Sequence, residues 1–255
     1  MVKMRVLLMC ALVLGLGACA TENPLKDLRF QPISSGNYTV ASWYKITKPT
    51  LPLKVYIEGD GHAFDGRGLP TSDPTPEGLF LRKLAVDDTS PNVVYLARPC
   101  QYLMGKNCSQ KDWTSGRFSP EIVDSMEASV GALMKKSRSG QVILVGYSGG
   151  AMIASLIAAR HPDQVKELIT IAGVLDKDKW TAYHGDAPLS DSVNLDLSKL
   201  KGIKQTHYVG AKDKVVPPEL ALDILGQNNS DVVIVKGASH GKGFDKIYSK
   251  VWRER

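Results

Sequence analysis

Short apolar runs rich in β-branched residues recur along the chain, at Leu53–Ile57, 93–97, 141–145, 167–171, 206–209 and Val232–Val235. Each is close to continuously apolar, the pattern of a strand covered on both faces. Stretches with helical spacing lie between them. One covers 77–85. Another opens at Ser119-Pro120-Glu121, where a cap, a proline in the first turn and an acid near the positive helix end coincide. Its apolar positions Ile122, Met126, Val130 and Leu133 share one face. A third helix, 151–159, is apolar nearly throughout. Alternating strands and helices predict an α/β domain with a mostly parallel central sheet and helices on both faces. Residues 39–46 alternate more and predict an antiparallel edge strand. A single domain, 33–255, accounts for all of these elements.

The first residues follow another pattern. Lys3 and Arg5 precede an apolar run over 6–16, and small residues follow at Gly17 and Ala18. This is the layout of a secretory signal, 1–18, whose apolar run is short for a permanent span. Leu16-Gly17-Ala18-Cys19 resembles the lipobox of bacterial lipoproteins. That resemblance implies a lipid on Cys19 and a location in the cell envelope, with Ala20 favouring the outer membrane. Ordinary cleavage would instead leave a periplasmic or secreted protein. Residues 19–32, polar and carrying Pro24 and Pro32, read as the lipidated end and a tether.

Composition narrows the picture further. The chain has 255 residues, 43% hydrophobic and 23% charged, enough for a sizeable core and unlike a disordered chain. Its net charge of +6 is spread along the sequence rather than gathered in an arm, which argues against nucleic acid as a partner. Of four cysteines, Cys100 and Cys108 lie in a polar loop of the expected exported part. Export predicts a disulfide between them. No neighbouring His or Cys completes a metal site.

Gly146-Tyr147-Ser148-Gly149-Gly150 lies directly between a buried strand and a helix. G-x-S-x-G in that setting predicts a nucleophilic serine on a strained turn, its hydroxyl raised at the carboxyl edge of the sheet. A serine needs a base, and the base needs an orienting acid. Asp213 follows the strand at 206–209, and His240 follows the last strand. Asp176 is the rival acid. His62, His161, His184 and His207 are rival bases, of which His62 and His184 could line the site in another role.

With these motifs the chain resembles the α/β-hydrolase family: Gly146-x-Ser148-x-Gly150, the Gly-x-x-Asp-x-Val-Val-Pro run around Asp213, and Ser239-His240-Gly241. The resemblance implies Ser148 as nucleophile, His240 as base then acid, and Asp213 as the group that holds the imidazole. It also implies an oxyanion hole from the backbone of Gly149 and of Asp60. Glu58-Gly59-Asp60-Gly61 resembles the family's His-Gly-x-Gly loop, with a glutamate in place of the histidine. A carboxylate aimed inward would oppose an oxyanion, so the backbone of Asp60 is expected to face the substrate and its side chain to turn away. More narrowly, 98–102 (Arg-Pro-Cys-Gln-Tyr) and 113–119 resemble segments of poorly characterised exported hydrolases, which adds no substrate.

The implied activity is hydrolysis of a small-molecule acyl ester or thioester through an acyl-enzyme, without metal or organic cofactor. A peptidase on the same fold is one alternative. An inactive envelope lipoprotein acting as a binding module is another. Residues 175–201, with Trp180, Tyr183 and His184, are long for a connection and read either as a small cap or as a solvated excursion.

Overall fold

A computed structural model describes residues 24–226, 231–245 and 247. The expected signal, 1–18, and Cys19 lie outside the described residues. In chain order the strands are β1 Arg29–Ser35, β2 Tyr38–Ile46, β3 Leu53–Ile57, β4 Asn92–Leu96, β5 Val142–Tyr147, β6 Val165–Ile171, β7 Gln205–Gly210 and β8 Val232–Val235. The helices are α1 Phe80–Asp87, α2 Pro120–Ser137, α3 Gly149–Arg160, α4 Lys177–His184 and α5 Pro218–Leu225.

The strands form one sheet in the order β1-β2-β4-β3-β5-β6-β7-β8. The β1–β2 and β2–β4 pairs are antiparallel, and every pair from β4–β3 to β7–β8 is parallel. Strand alternation sends Val55 and Ile57 to one side and Tyr56 to the other. The first side carries α2 and α3, through Ile122, Met126, Met152 and Ile153. The second carries α1, through Leu81 and Leu84, with Phe244 beside it. Parallel strands with both faces covered are why these runs read as continuously apolar. Helix α2 starts as its sequence requires: Ser119 Oγ accepts the Ile122 N–H at 3.4 Å, with Pro120 in the first turn.

Two expectations are corrected. Strand β2 is antiparallel but is not the edge, because β1 lies outside it in register from Arg29↔Tyr44 to Ser35↔Tyr38. The tether expected over 19–32 gives way to folded chain from Pro24 onward. A 3₁₀ turn at Pro24–Asp27 buries Leu25 to 1% exposure, and Leu28 is buried beside it. These two leucines pack with the α1 side of the sheet, which a solvated tether would forgo. At the other end β8 is the outermost strand, and it leaves Val233 and Ile234 exposed.

The 175–201 segment is not a solvated excursion, since part of it packs into the core. Helix α4 stands beside the carboxyl edge of the sheet. The remainder returns to the core, where Leu189 and Leu200 are buried and the Val193 N–H donates to Phe118 O at 3.0 Å.

Candidate active site

Strand β5 ends at Tyr147 and α3 begins at Gly149, so Ser148 alone makes the turn. Its backbone sits at φ 51°, ψ −123°, a conformation that side chains rarely adopt. The surroundings enforce it. The Ser148 N–H donates to Ile171 O at 3.0 Å, and Ser148 O accepts from Ala151 and Val174 at 3.0 and 3.1 Å. The flanking glycines are there because the backbones come close. A Cβ at Gly146 would lie 2.5 Å from Ala151 Cα, and one at Gly150 would press on the carbonyls of Ile57 and Glu58 at the end of β3.

Ser148 Oγ lies 2.9 Å from His240 Nε2, and His240 Nδ1 lies 3.0 Å from Asp213 Oδ2. The other oxygen of Asp213 accepts the Val215 and Val216 N–H groups at 2.8 and 2.9 Å. A carboxylate only accepts, so the tautomer with its proton on Nδ1 fits this geometry and leaves Nε2 to accept from the Ser148 hydroxyl. Asp213 is buried, whereas His240 and Ser148 are partly open. The Tyr147 ring lies 5.4 Å from the imidazole and limits its swing.

The rivals are engaged elsewhere. Asp176 caps α4, accepting from Asp178 and Lys179. His161 pairs with Glu127 at 2.8 Å, and His184 Nε2 contacts Val215 O at 2.8 Å. His207 is buried in β7 against Thr170, and burial lowers its pKa to about 4. His62 lines the cavity but faces Glu77 at 3.2 Å.

The 58–61 loop follows β3 beside Ser148. The Asp60 carboxylate turns to two arginines, 2.8 Å from Arg117 Nη1 and 3.4 Å from Arg98 Nη1. No acceptor among the described residues takes the Asp60 backbone N–H. Glu58 is buried, accepting from Tyr95 Oη at 2.7 Å and from the Gly59 N–H at 2.8 Å. Burial pushes its carboxyl up from the ordinary range, against those two hydrogen bonds. Arg98 is also buried, which lowers its pKa to about 10. Sequence reasoning gave no role to Arg98 or Arg117. Their partner lies 38 and 57 residues away, and their only signal was a basic residue inside an otherwise small or apolar segment.

Ser148 and His240 open into a cavity of about 620 Å³ with aromatic and apolar walls from Phe64, Phe80, Tyr147, Trp180 and Val215. Cys100 and Cys108 are joined by a disulfide with a Cα–Cα distance of 5.7 Å.

A family model of the alpha/beta hydrolase fold matches residues 34–188. The chain belongs to the α/β-hydrolase family. It is similar to Lipase LipV of Mycobacterium tuberculosis, at 32% identity over 108 residues that make up 42% of this chain and 40% of that protein. The chain thus spans about two fifths of the length of the curated relative it matches. A solved esterase from Pyrococcus furiosus superposes with a TM-score of 0.61 at 15% identity, covering 89% of each chain. Est1E from Butyrivibrio proteoclasticus, solved with ferulic acid, gives 0.62 at 17% identity over 88% of this chain and 96% of that one. These likenesses extend the shared fold over nearly the whole described chain.

Proposed function

We propose that this protein is a serine hydrolase that cleaves acyl esters or thioesters through an acyl-enzyme. One observation carries the reading: a single imidazole bridges the Ser148 hydroxyl and a buried carboxylate, at 2.9 and 3.0 Å. Ser148 Oγ attacks the substrate carbonyl and gives its proton to His240 Nε2. Asp213 stabilises the imidazolium that forms. The carbonyl oxygen becomes an oxyanion held by the backbone N–H groups of Gly149 and Asp60, with the start of α3 behind it. As the tetrahedral species collapses, the bond to the leaving alkoxide or thiolate breaks and that group takes the proton from His240. Water then enters, gives a proton to His240 Nε2 and attacks the acyl carbonyl; the bond from that carbon to Ser148 Oγ breaks, Oγ takes the proton back from His240, and the acyl group leaves as a carboxylic acid. The aromatic and apolar walls suit a hydrocarbon or aromatic acyl group, and Asp60, Glu77, Arg117 and Lys242 line the same cavity.

The test is direct. The folded domain should react with a fluorophosphonate at Ser148 and hydrolyse short p-nitrophenyl esters, and Ser148→Ala should lose both. Turnover should fall by about 10⁴-fold or more, as when a nucleophile of this kind is removed. Ester hydrolysis that survives in Ser148→Ala would refute the assignment. On the sequence of its first twenty residues, we also propose that the enzyme is held in the cell envelope by lipid on Cys19. Incorporation of labelled palmitate that is lost in Cys19→Ser tests this second part.

A further inference from the structure

The 58–61 loop is held from behind, and two of its direct hydrogen-bond partners, Arg98 and Gln101, lie in 98–102. Arg98 reaches the Asp60 carboxylate and the Arg117 carbonyl. Tyr102 Oη lies 3.1 Å from Tyr95 Oη, which in turn donates to Glu58. Between them Gln101, only 1% exposed, makes two hydrogen bonds. Its Oε1 accepts the Arg98 N–H at 3.0 Å, and its Nε2 donates to Gly59 O at 2.9 Å.

That last bond bears on the chemistry. Gly59 C=O and Asp60 N–H belong to one peptide group. The group is planar and trans, so the oxygen and the hydrogen point to opposite sides. Whatever fixes the Gly59 oxygen therefore fixes the direction of the Asp60 N–H. With Gln101 on the oxygen, the N–H points away from Gln101, and Asp60 is one of the residues that line the cavity.

The segment that presents Gln101 is built to stay still. Cys100 and Tyr102 on either side have φ of 70° and 62°, a region non-glycine residues seldom occupy unless their surroundings over-determine it. The bridge from buried Cys100 to Cys108 supplies one such restraint.

We propose that Gln101 is a positioning residue for catalysis: by clamping the Gly59 carbonyl it aims the Asp60 N–H at the oxyanion. This rests on the reading of Ser148 as nucleophile and Asp60 N–H as oxyanion donor. It assigns a task to 98–102 that the chemistry of the triad leaves open.

The experiment uses two variants of the mature protein. Gln101→Glu keeps the size and the acceptor for Arg98 but sets a carboxylate oxygen against the Gly59 carbonyl. Gln101→Met keeps the length and removes both hydrogen bonds. The number of reactive sites per chain is counted by fluorophosphonate titration to completion, and kcat is expressed per titrated site. Expected are kcat values lower by about 10²-fold, the size of effect that a misdirected catalytic group produces. KM should stay within about twofold, since the oxyanion exists only beyond the ground state. Binding of a boronic acid transition-state analogue should weaken by the same factor as kcat/KM.

Wild-type kcat per site with unchanged boronate affinity would overturn the proposal. So would a loss of titratable sites with kcat per remaining site intact, which describes a purely structural residue. If Gln101→Met does not fold, Gln101→Glu decides by the same criteria. A wild-type protein that neither labels nor hydrolyses overturns the nucleophile assignment, and this inference with it.

Discussion

Replacing Gly150 with alanine tests whether the close contact of α3 with β3 sets the position of Ser148, the proposed nucleophile. The added Cβ would lie 2.8 Å from the Glu58 carbonyl carbon, and closer still to the carbonyl oxygens of Ile57 and Glu58. Ordinary carbon contacts are roughly 3.5 Å, so the helix start must retreat by roughly 1 Å. Backbone carbonyls at the end of a central strand cannot give way as a flexible side chain would. The expected loss is about 2–3 kcal/mol of stability, as for overpacked cores. A 1 Å shift of the residue that opens α3 would also stretch the 2.9 Å Ser148–His240 contact beyond hydrogen-bonding range and lower kcat by about 10²-fold. The matched control is Gly131→Ala. Gly131 lies in α2, and a Cβ there meets nothing within 4 Å. That change should stabilise by about 0.5–1 kcal/mol through helix propensity alone. Urea unfolding followed by circular dichroism, with kcat on a p-nitrophenyl ester, reads both variants. If Gly150→Ala is as stable and as active as the wild type, the close approach does not govern the site.

Two further outcomes concern stability. His207 is held unprotonated by burial, with a pKa of about 4 against 6.5 in an unfolded chain. The unfolded state therefore binds more protons between those values, and stability should fall as pH drops from 6.5 to about 4, by about 3 kcal/mol from this group. A flatter unfolding profile across that window in His207→Asn than in the wild type checks the assignment, and parallel profiles refute it. Separately, Cys108→Ser removes a bridge that closes a sequence separation of 8 residues and should cost about 2–3 kcal/mol. A thermal melt unchanged by the substitution would mean that the loop is held by its side-chain hydrogen bonds alone.

The parallel core was legible because each strand between two helical layers must be apolar on both faces, and Val55-Tyr56-Ile57 carries that requirement in its composition. The turn at Ser148 was legible for a local reason: strain and close approach both demand glycine, and three glycines stand there. Strand β1 was not recognised, because Arg29–Ser35 mixes polar residues with a proline and only Ile33 and Ser35 are buried. Its signal lay in the turn. Gly36-Asn37 joins Ser35 to its partner Tyr38, and Gly36 has φ 59°, which makes a two-residue hairpin loop. The Asp60–Arg98–Arg117 cluster had no local sign beyond a basic residue in a small or apolar segment, and the Gln101–Gly59 bond had none. They depend on the fold bringing 98–102 and 113–119 beneath a loop some forty to sixty residues earlier, and neither periodicity nor spacing encodes that meeting. The Asp60 carboxylate lies against its arginines but also against Gly149, where an added Cβ would run into it, so it does not turn away from the site as the argument from oxyanion repulsion expected.

The outermost position of β8 sets how durable the chemistry can be. The imidazole of His240, the proposed base for Ser148, hangs from the turn after this four-residue strand, which among the described residues has a ladder on one side only and leaves Val233 and Ile234 in solvent. Marginal strands of this kind open before the interior does. Loss of turnover under mild heat or denaturant would then record the fraying of one border, well ahead of any collapse of the central ladder, and reinforcing that border is the shortest route to a longer-lived catalyst.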